Sequence, residues 1–121
     1  DALAGILLVA HAHGVAGPVA AAVRERLGST TAVSAALLDA AADGYAAATV
    51  VALVDAAVAG DAAAVARALP AVLAIGHTSG ADLVIGIAAA LRHLRPLRQL
   101  GHLCQTPAST THTTPIGWSA A

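Results

Sequence analysis

The sequence predicts a mainly α-helical domain built from five or six short helices. Apolar residues recur every three or four positions through segments rich in alanine, the strongest helix former. Most of these segments end at a glycine or begin beside Ser, Thr or Asp. With one Trp, one Tyr and no Phe, the core must consist of small aliphatic side chains. Such a core favours close helix packing, either in a bundle or in a fragment of a larger all-α or α+β domain.

The first three helices follow from apolar spacing and from their end signals. The first is predicted as a buried helix over residues 1–13, and it is too short to span a bilayer. The second is predicted over 19–27, with Pro18 in its first turn. The third is predicted over about 32–42, after a run of hydroxyl residues and before a glycine. Its apolar residues on one face are Val33, Leu37 and Leu38.

The last three helices follow from the same signals. Residues 45–59 contain valines that also suit a strand, but their alanine density favours a helix. Asp61 caps the next helix, in which Pro70 predicts a kink or a boundary. A final helix is predicted from Ala81 to about His93.

The chain is predicted to divide into a helical part, 1–95, and an irregular tail, 96–121. The tail is rich in Thr and Pro and has no sustained apolar period. Because the sequence has no methionine and opens directly on an apolar run, we expect a fragment or a processed chain.

Charge and cysteine content exclude several classes of protein. A net charge of −1 and scattered arginines provide no basic face for nucleic acid. Cys104 is the single cysteine, so no intrachain disulfide forms and a reducing, cytoplasmic compartment is favoured. His11 and His13 would point about 200° apart on a helix, so we expect no metal site there. Nothing in the sequence implies a cofactor or a membrane partner.

The residues best suited to catalysis or ligand binding lie in the stretch 76–82, Gly-His-Thr-Ser-Gly-Ala-Asp, at the start of the last helix. Ser79 is expected as N-cap, with Asp82 in the capping-box position. Backbone N–H groups and the positive end of a helix dipole suit an anion or a polarised carbonyl. His77 can transfer a proton near neutral pH. The alternative is a purely structural loop, with its histidine bonded to a backbone carbonyl.

Three stretches, taken in order, resemble the AllH family, a subunit family associated with the oxamate carbamoyltransferase of allantoin degradation. Residues 1–5 resemble the end of one family motif and the helix after it. The segments 30–34 and 37–44 resemble its threonine–serine helix. The stretch 76–82, followed by a helix that contains Gly86, resembles its closing signature. The resemblance covers about residues 1–93. This part of the chain resembles the C-terminal half of the family's proteins.

The resemblance implies carbamoyl transfer between carbamoyl phosphate and oxamate, with oxalurate and phosphate on the other side of the reaction, in an assembly with other carbamoyltransferase subunits. It implies catalytic roles for His77 and Asp82. The substrate-binding residues that it implies are Asp1, Thr31, Ser34, Thr78, Ser79 and Gly80. The polar core of the first motif would lie upstream of Asp1, and no arginine lies next to a motif, so we expect this chain alone to be inactive.

A second function remains open, in which the protein is a non-catalytic helical assembly subunit or interaction module. Its apolar faces would then form the assembly surface. In that case Asp1 is a helix-start charge, Thr31 and Ser34 are capping and packing residues, and Ser79 and Asp82 serve only to start a helix.

Overall fold

A computed structural model describes the backbone of residues 1–103 and the side chains of residues 1–94. Within this part the chain forms six α-helices and no strand, which confirms the predicted mainly α class. The helices are α1 (Ala2–Ala12), α2 (Gly17–Arg24), α3 (Ala32–Ala42), α4 (Ala48–Ala59), α5 (Ala62–Leu73) and α6 (Ser79–Leu103). No helix of this part is both long enough and apolar enough to cross a membrane. The predicted irregular segment beyond Leu103 lies outside the described residues.

The core is organised around α1, which packs against α6, α3 and α4. Most of its length is buried, and Leu7 and Val9 are fully inaccessible to solvent. Val72 of α5 completes the set of fully buried large side chains. The expectation of a buried first helix is therefore confirmed, and the core residues within the described side chains are all aliphatic.

Glycine allows the closest helix contacts. A Cβ on Gly86 of α6 would collide with the carbonyl oxygen of Ala2, and one on Gly5 of α1 would collide with the carbonyl oxygen of Leu83. The two glycines thus bring the backbones of α1 and α6 together without side chains between them. Because glycine has no side chain to hold the helices apart, this close contact fixes how the starts of α1 and α6 lie relative to each other.

Two of the predicted helix starts are capped as expected. The Thr31 hydroxyl accepts a bond from the backbone N–H of Ser34 at 3.2 Å, and the Asp61 carboxylate accepts one from Ala64 at 3.0 Å. The start of α6 differs from the prediction: the helix begins at Ser79 itself, and no side-chain cap bond is formed there within the described residues. The turn before it is closed instead by backbone, with the N–H of Gly80 donating to the carbonyl of Ile75 at 2.9 Å.

Some predicted boundaries were also displaced. Helix α2 runs from Gly17 to Arg24 and is followed by a short 3₁₀ turn, Leu27–Ser29, whereas the sequence predicts one helix over 19–27. Pro70 lies inside α5 without ending it, and α6 runs past Pro96 to Leu103 rather than stopping near His93. Proline removes one N–H donor, and the hydrogen bonds on either side of it keep the helix continuous.

Helix α3 is tied to α2 by Asp39 and by Asp43 just after its end, and it exposes two large apolar residues to solvent. Arg24 of α2 donates from Nε to Asp39 at 2.8 Å and from Nη2 to Asp43 at 2.7 Å. These hydrogen bonds, with Asp39 the stronger influence, raise the pKa of Arg24. Val33 and Leu37 are 72% and 56% exposed, because the helix meets the core through small alanines near its C-terminus.

Candidate functional site

A cavity of about 470 Å³ lies where the first turns of α1 and α6 approach α3 and the loop between α3 and α4. Three polar side chains line it: Asp1 before α1, Tyr45 in the loop, and Ser79 at the start of α6. Its other lining residues are apolar. The N-terminal ends of α1, α4 and α6 therefore meet at a cavity whose wall is mostly apolar.

All three stretches that carry the family resemblance reach this cavity. The first contributes Asp1 and Ala4, and the third contributes Ser79 and Gly80. The second contributes the α3 residues Leu37, Ala40 and Ala41. Residues separated by most of the chain thus meet at one place. This convergence was not predictable from the order of the motifs, because it depends on how α1, α3 and α6 pack.

Gly80 has a specific structural role at the cavity. A Cβ at this position would collide with the carbonyl oxygen of Val72 and would lie 3.0 Å from the Cα of Leu73. The absence of a side chain lets the first turn of α6 lie directly against the end of α5. That contact fixes where Ser79 enters the cavity wall.

The structure brings together three of the eight predicted site residues. Asp1, Ser79 and Gly80 line the cavity. Thr31 and Ser34 instead bond to each other, with 3.0 Å between their hydroxyl oxygens, at the start of α3. The three remaining residues have exposed side chains on or beside the loop before α6, outside the cavity lining: His77, Thr78 and Asp82.

Sequence reasoning did not identify the residues that form the exposed edge of the cavity. We call Leu37, Tyr45 and Ile75 the cavity rim; their exposed fractions are 56%, 73% and 37%. The backbone N–H of Tyr45 donates to the carbonyl of Ala40 at 2.9 Å, which ties the loop to the end of α3. The only available signal was that Tyr45 is the single tyrosine of an aromatic-poor chain.

No arginine lines the cavity among the described residues. Arg24 is held by the two carboxylates of α3. Arg92, Arg95 and Arg98 follow Ser79 on the same helix at about 20 to 29 Å along the axis, given a rise of about 1.5 Å per residue. The cavity therefore has one acidic side chain, Asp1, and no cationic side chain from the described part of the chain.

A second, smaller cavity of about 110 Å³ lies beside His11, Gly44 and Asp55. The His11 ring lies against Gly44, which has a φ of +83°, so a Cβ there would be 2.5 Å from the ring. In the described part of the chain, no three His, Cys, Asp or Glu side chains are grouped closely enough to hold a metal ion.

Comparison with known proteins adds one finding. A family model described as "Oxamate carbamoyltransferase subunit AllH" matches residues 1–91. This range includes every residue that lines the larger cavity. No curated protein and no solved structure matches the chain.

Proposed function

Because the chain belongs to the AllH family of oxamate carbamoyltransferase subunits, we propose that it helps to transfer a carbamoyl group between carbamoyl phosphate and oxamate. The observation that carries this proposal is the convergence of the three motif segments on one cavity. We further propose that the chain acts with other subunits of the enzyme, and that its contribution corresponds to the C-terminal half of the family.

The reaction sets requirements that the cavity meets in part. The amide nitrogen of oxamate attacks the carbonyl carbon of carbamoyl phosphate, the bond from that carbon to the phosphate oxygen breaks, and the nitrogen loses a proton to a base. Donors are needed where the carbonyl oxygen gains charge. The Ser79 hydroxyl and the N-terminal end of α6 are suited to this role. The Gly80 N–H already bonds to Ile75, so Gly80 contributes space rather than a donor.

The loop before α6 and the first turn of α6 provide the titratable groups that we assign to proton transfer. His77 and Asp82 flank Ser79, and we keep them as the proposed catalytic residues, with Thr78 as a substrate contact. Their side chains are exposed, so they would act at the mouth of the cavity. Histidine is a common general base in enzymes. Thr31 and Ser34 are engaged in capping α3, which favours a structural role for both.

The described part of this chain places no cationic side chain in the cavity lining, although both substrates are anions. Oxamate carries a carboxylate, and carbamoyl phosphate carries a phosphate group. Enzymes that transfer such groups stabilise them with cations or N–H donors. Since the cavity has only the Asp1 carboxylate as a charged side chain among the described residues, residues 1–121 alone are expected to be inactive.

The second candidate is a non-catalytic assembly subunit, and it is favoured by the exposed apolar side chains of α3. Val33 and Leu37 lie one turn apart and are both more than half exposed. Exposed apolar surface of this kind often marks a protein interface. In this case the cavity would be part of an interface and would bind no substrate.

A substitution that fills the cavity distinguishes between the two candidate functions. Ala40 lines the cavity, whereas Ala36, one turn earlier on α3, does not. The assay is carbamoyl-phosphate-dependent oxalurate formation by the full-length protein reconstituted with its other subunits. In complexes that still assemble, Ala40→Leu should lower kcat/KM at least about tenfold, a loss of about 1.4 kcal/mol, while Ala36→Leu should not. Equal activity of the two assembled variants would contradict the substrate-binding role and support the assembly role.

A further inference from the structure

The cavity rim is an apolar surface at the opening of an incomplete site. Leu37 comes from α3, Tyr45 from the following loop, and Ile75 from the turn between α5 and α6. Each is more than a third exposed, although each borders the cavity. A substrate as small and polar as carbamoyl phosphate would not bury these side chains, because it has no apolar surface to pack against them.

The charges of the substrates and of the cavity lining indicate that a cationic group is needed at the cavity. Both substrates of the proposed function are anions, and the only charged side chain among the described residues of the lining is the Asp1 carboxylate. Like charges repel most strongly where water is partly excluded. A cation that enters with the anion or is already present would therefore offset the Asp1 carboxylate and favour anion binding here.

The arginines of this chain do not meet that need within the described structure. Arg24 is bound to Asp39 and Asp43. Arg26 and Arg67 do not line the cavity, and Arg92 lies about 20 Å along α6 from Ser79.

Resting on the proposed function, we propose that the cavity rim seats a segment of a different subunit of the carbamoyltransferase, and that this segment brings an arginine or lysine to the cavity. Apolar side chains on either side of the cation would cover Leu37, Tyr45 and Ile75. The cation would face Asp1 in the absence of substrate and the phosphate or carboxylate when substrate is bound. Arginine suits such groups because its guanidinium forms paired hydrogen bonds.

The test is site-specific photo-crosslinking in the full-length, reconstituted complex. A benzophenone amino acid replaces Leu37 or, separately, Tyr45, and the crosslinked peptides are identified by mass spectrometry. The control places the same group at Ala66, an exposed position of α5 that does not line the cavity. Mixing ¹⁴N- and ¹⁵N-labelled forms of this chain distinguishes a second copy from the same molecule.

We expect both rim positions, and not Ala66, to crosslink to a peptide of another subunit that contains an arginine or lysine. Replacing that residue with alanine should raise the KM for carbamoyl phosphate about tenfold or more, while the complex remains assembled. Crosslinks only to a second copy, or only to another segment of the same chain, would overturn the proposed occupant. Rim crosslinking no stronger than at Ala66 would overturn the docking surface itself.

Measuring the turnover of the same complex before irradiation distinguishes failure of this inference from failure of the proposed function. Oxalurate formation without a rim crosslink would leave the proposed function standing and remove this inference. Absence of turnover in an assembled complex would contradict the proposed function, and with it the substrate-binding purpose of the cation.

Discussion

Gly86 of α6 lies directly against the backbone of Ala2 in α1, with no space for a side chain between them. A Cβ on Gly86 would meet the Ala2 carbonyl oxygen and lie 2.7 Å from its carbonyl carbon. Asp1 and Ser79, which line the cavity, belong to the starts of these same two helices. The contact between Gly86 and Ala2 therefore sets the geometry of the candidate site as well as that of the core.

Gly86→Ala should destabilise the protein, because backbone atoms of Ala2 cannot move aside as a flexible side chain could. Overpacking of this kind typically lowers the free energy of unfolding by about 1 to 3 kcal/mol. Gly17→Ala is the matched control, since no atom lies within 4 Å of its Cβ position. The measurement is urea unfolding of both variants. A Gly86→Ala variant as stable as Gly17→Ala would contradict the close contact.

Gly60→Ala should weaken the end of α4 for a different reason. Gly60 has open space around it but a φ of +75°, in the left-handed region that L-residues with a Cβ avoid. The expected loss is about 1 kcal/mol in the free energy of unfolding. Gly60→Asn should lose less, because asparagine tolerates this conformation better. Equal thermal stability of the alanine and asparagine variants would show that backbone conformation is not the cause.

Thr31→Ala tests whether the second motif acts in folding or in substrate binding. Removing the cap on the Ser34 N–H should lower the free energy of unfolding by about 1 kcal/mol. Thr30→Ala is the control, because its hydroxyl makes no cap bond to α3. In the reconstituted enzyme we expect an unchanged KM for both substrates. A raised KM without loss of stability would instead support substrate binding by Thr31.

The sequence was informative wherever a local rule decides the structure. Helix α3 and the caps at Thr31 and Asp61 follow from neighbouring residues, and their predictions are confirmed. Helix α6 starts at Ser79, two residues before the predicted Ala81, because contacts of Gly80 with α5 position that turn and no local rule includes them. The exposure of Leu37 was also beyond local rules, since periodicity identifies an apolar face but not whether the fold covers it.

The same distinction applies to the candidate site. Asp1, Ser79 and Gly80 were predicted from motifs, and they meet at the cavity because α1 and α6 pack through glycine. Tyr45 and Ile75 could not be predicted, because their position depends on two loops that only the packed helices bring together. The missing cation is equally a property of three-dimensional arrangement, since the chain has six arginines in its sequence.

His77→Ala provides the direct test of catalysis by the loop before α6. If His77 accepts the proton from the attacking nitrogen, its loss should lower kcat about 100-fold or more and leave the complex folded and assembled. The KM for carbamoyl phosphate should change little, because His77 is exposed and does not line the cavity. His93→Ala is the control, as His93 is an exposed histidine about 20 Å farther along α6 from Ser79.

Asp82→Asn in the same assay separates a catalytic carboxylate from one that only favours the helix start. Asp82 lies in the first turn of α6, where a negative charge stabilises the helix dipole by about 0.3 to 1 kcal/mol. A catalytic role predicts reduced kcat at unchanged stability, whereas a purely structural role predicts slightly reduced stability at unchanged kcat. If His77→Ala and Asp82→Asn both retain full kcat, residues 76–82 form a helix start and a packing element. The assembly role would then be the favoured function of the chain, because residues 76–82 contain no other titratable side chain to accept the proton.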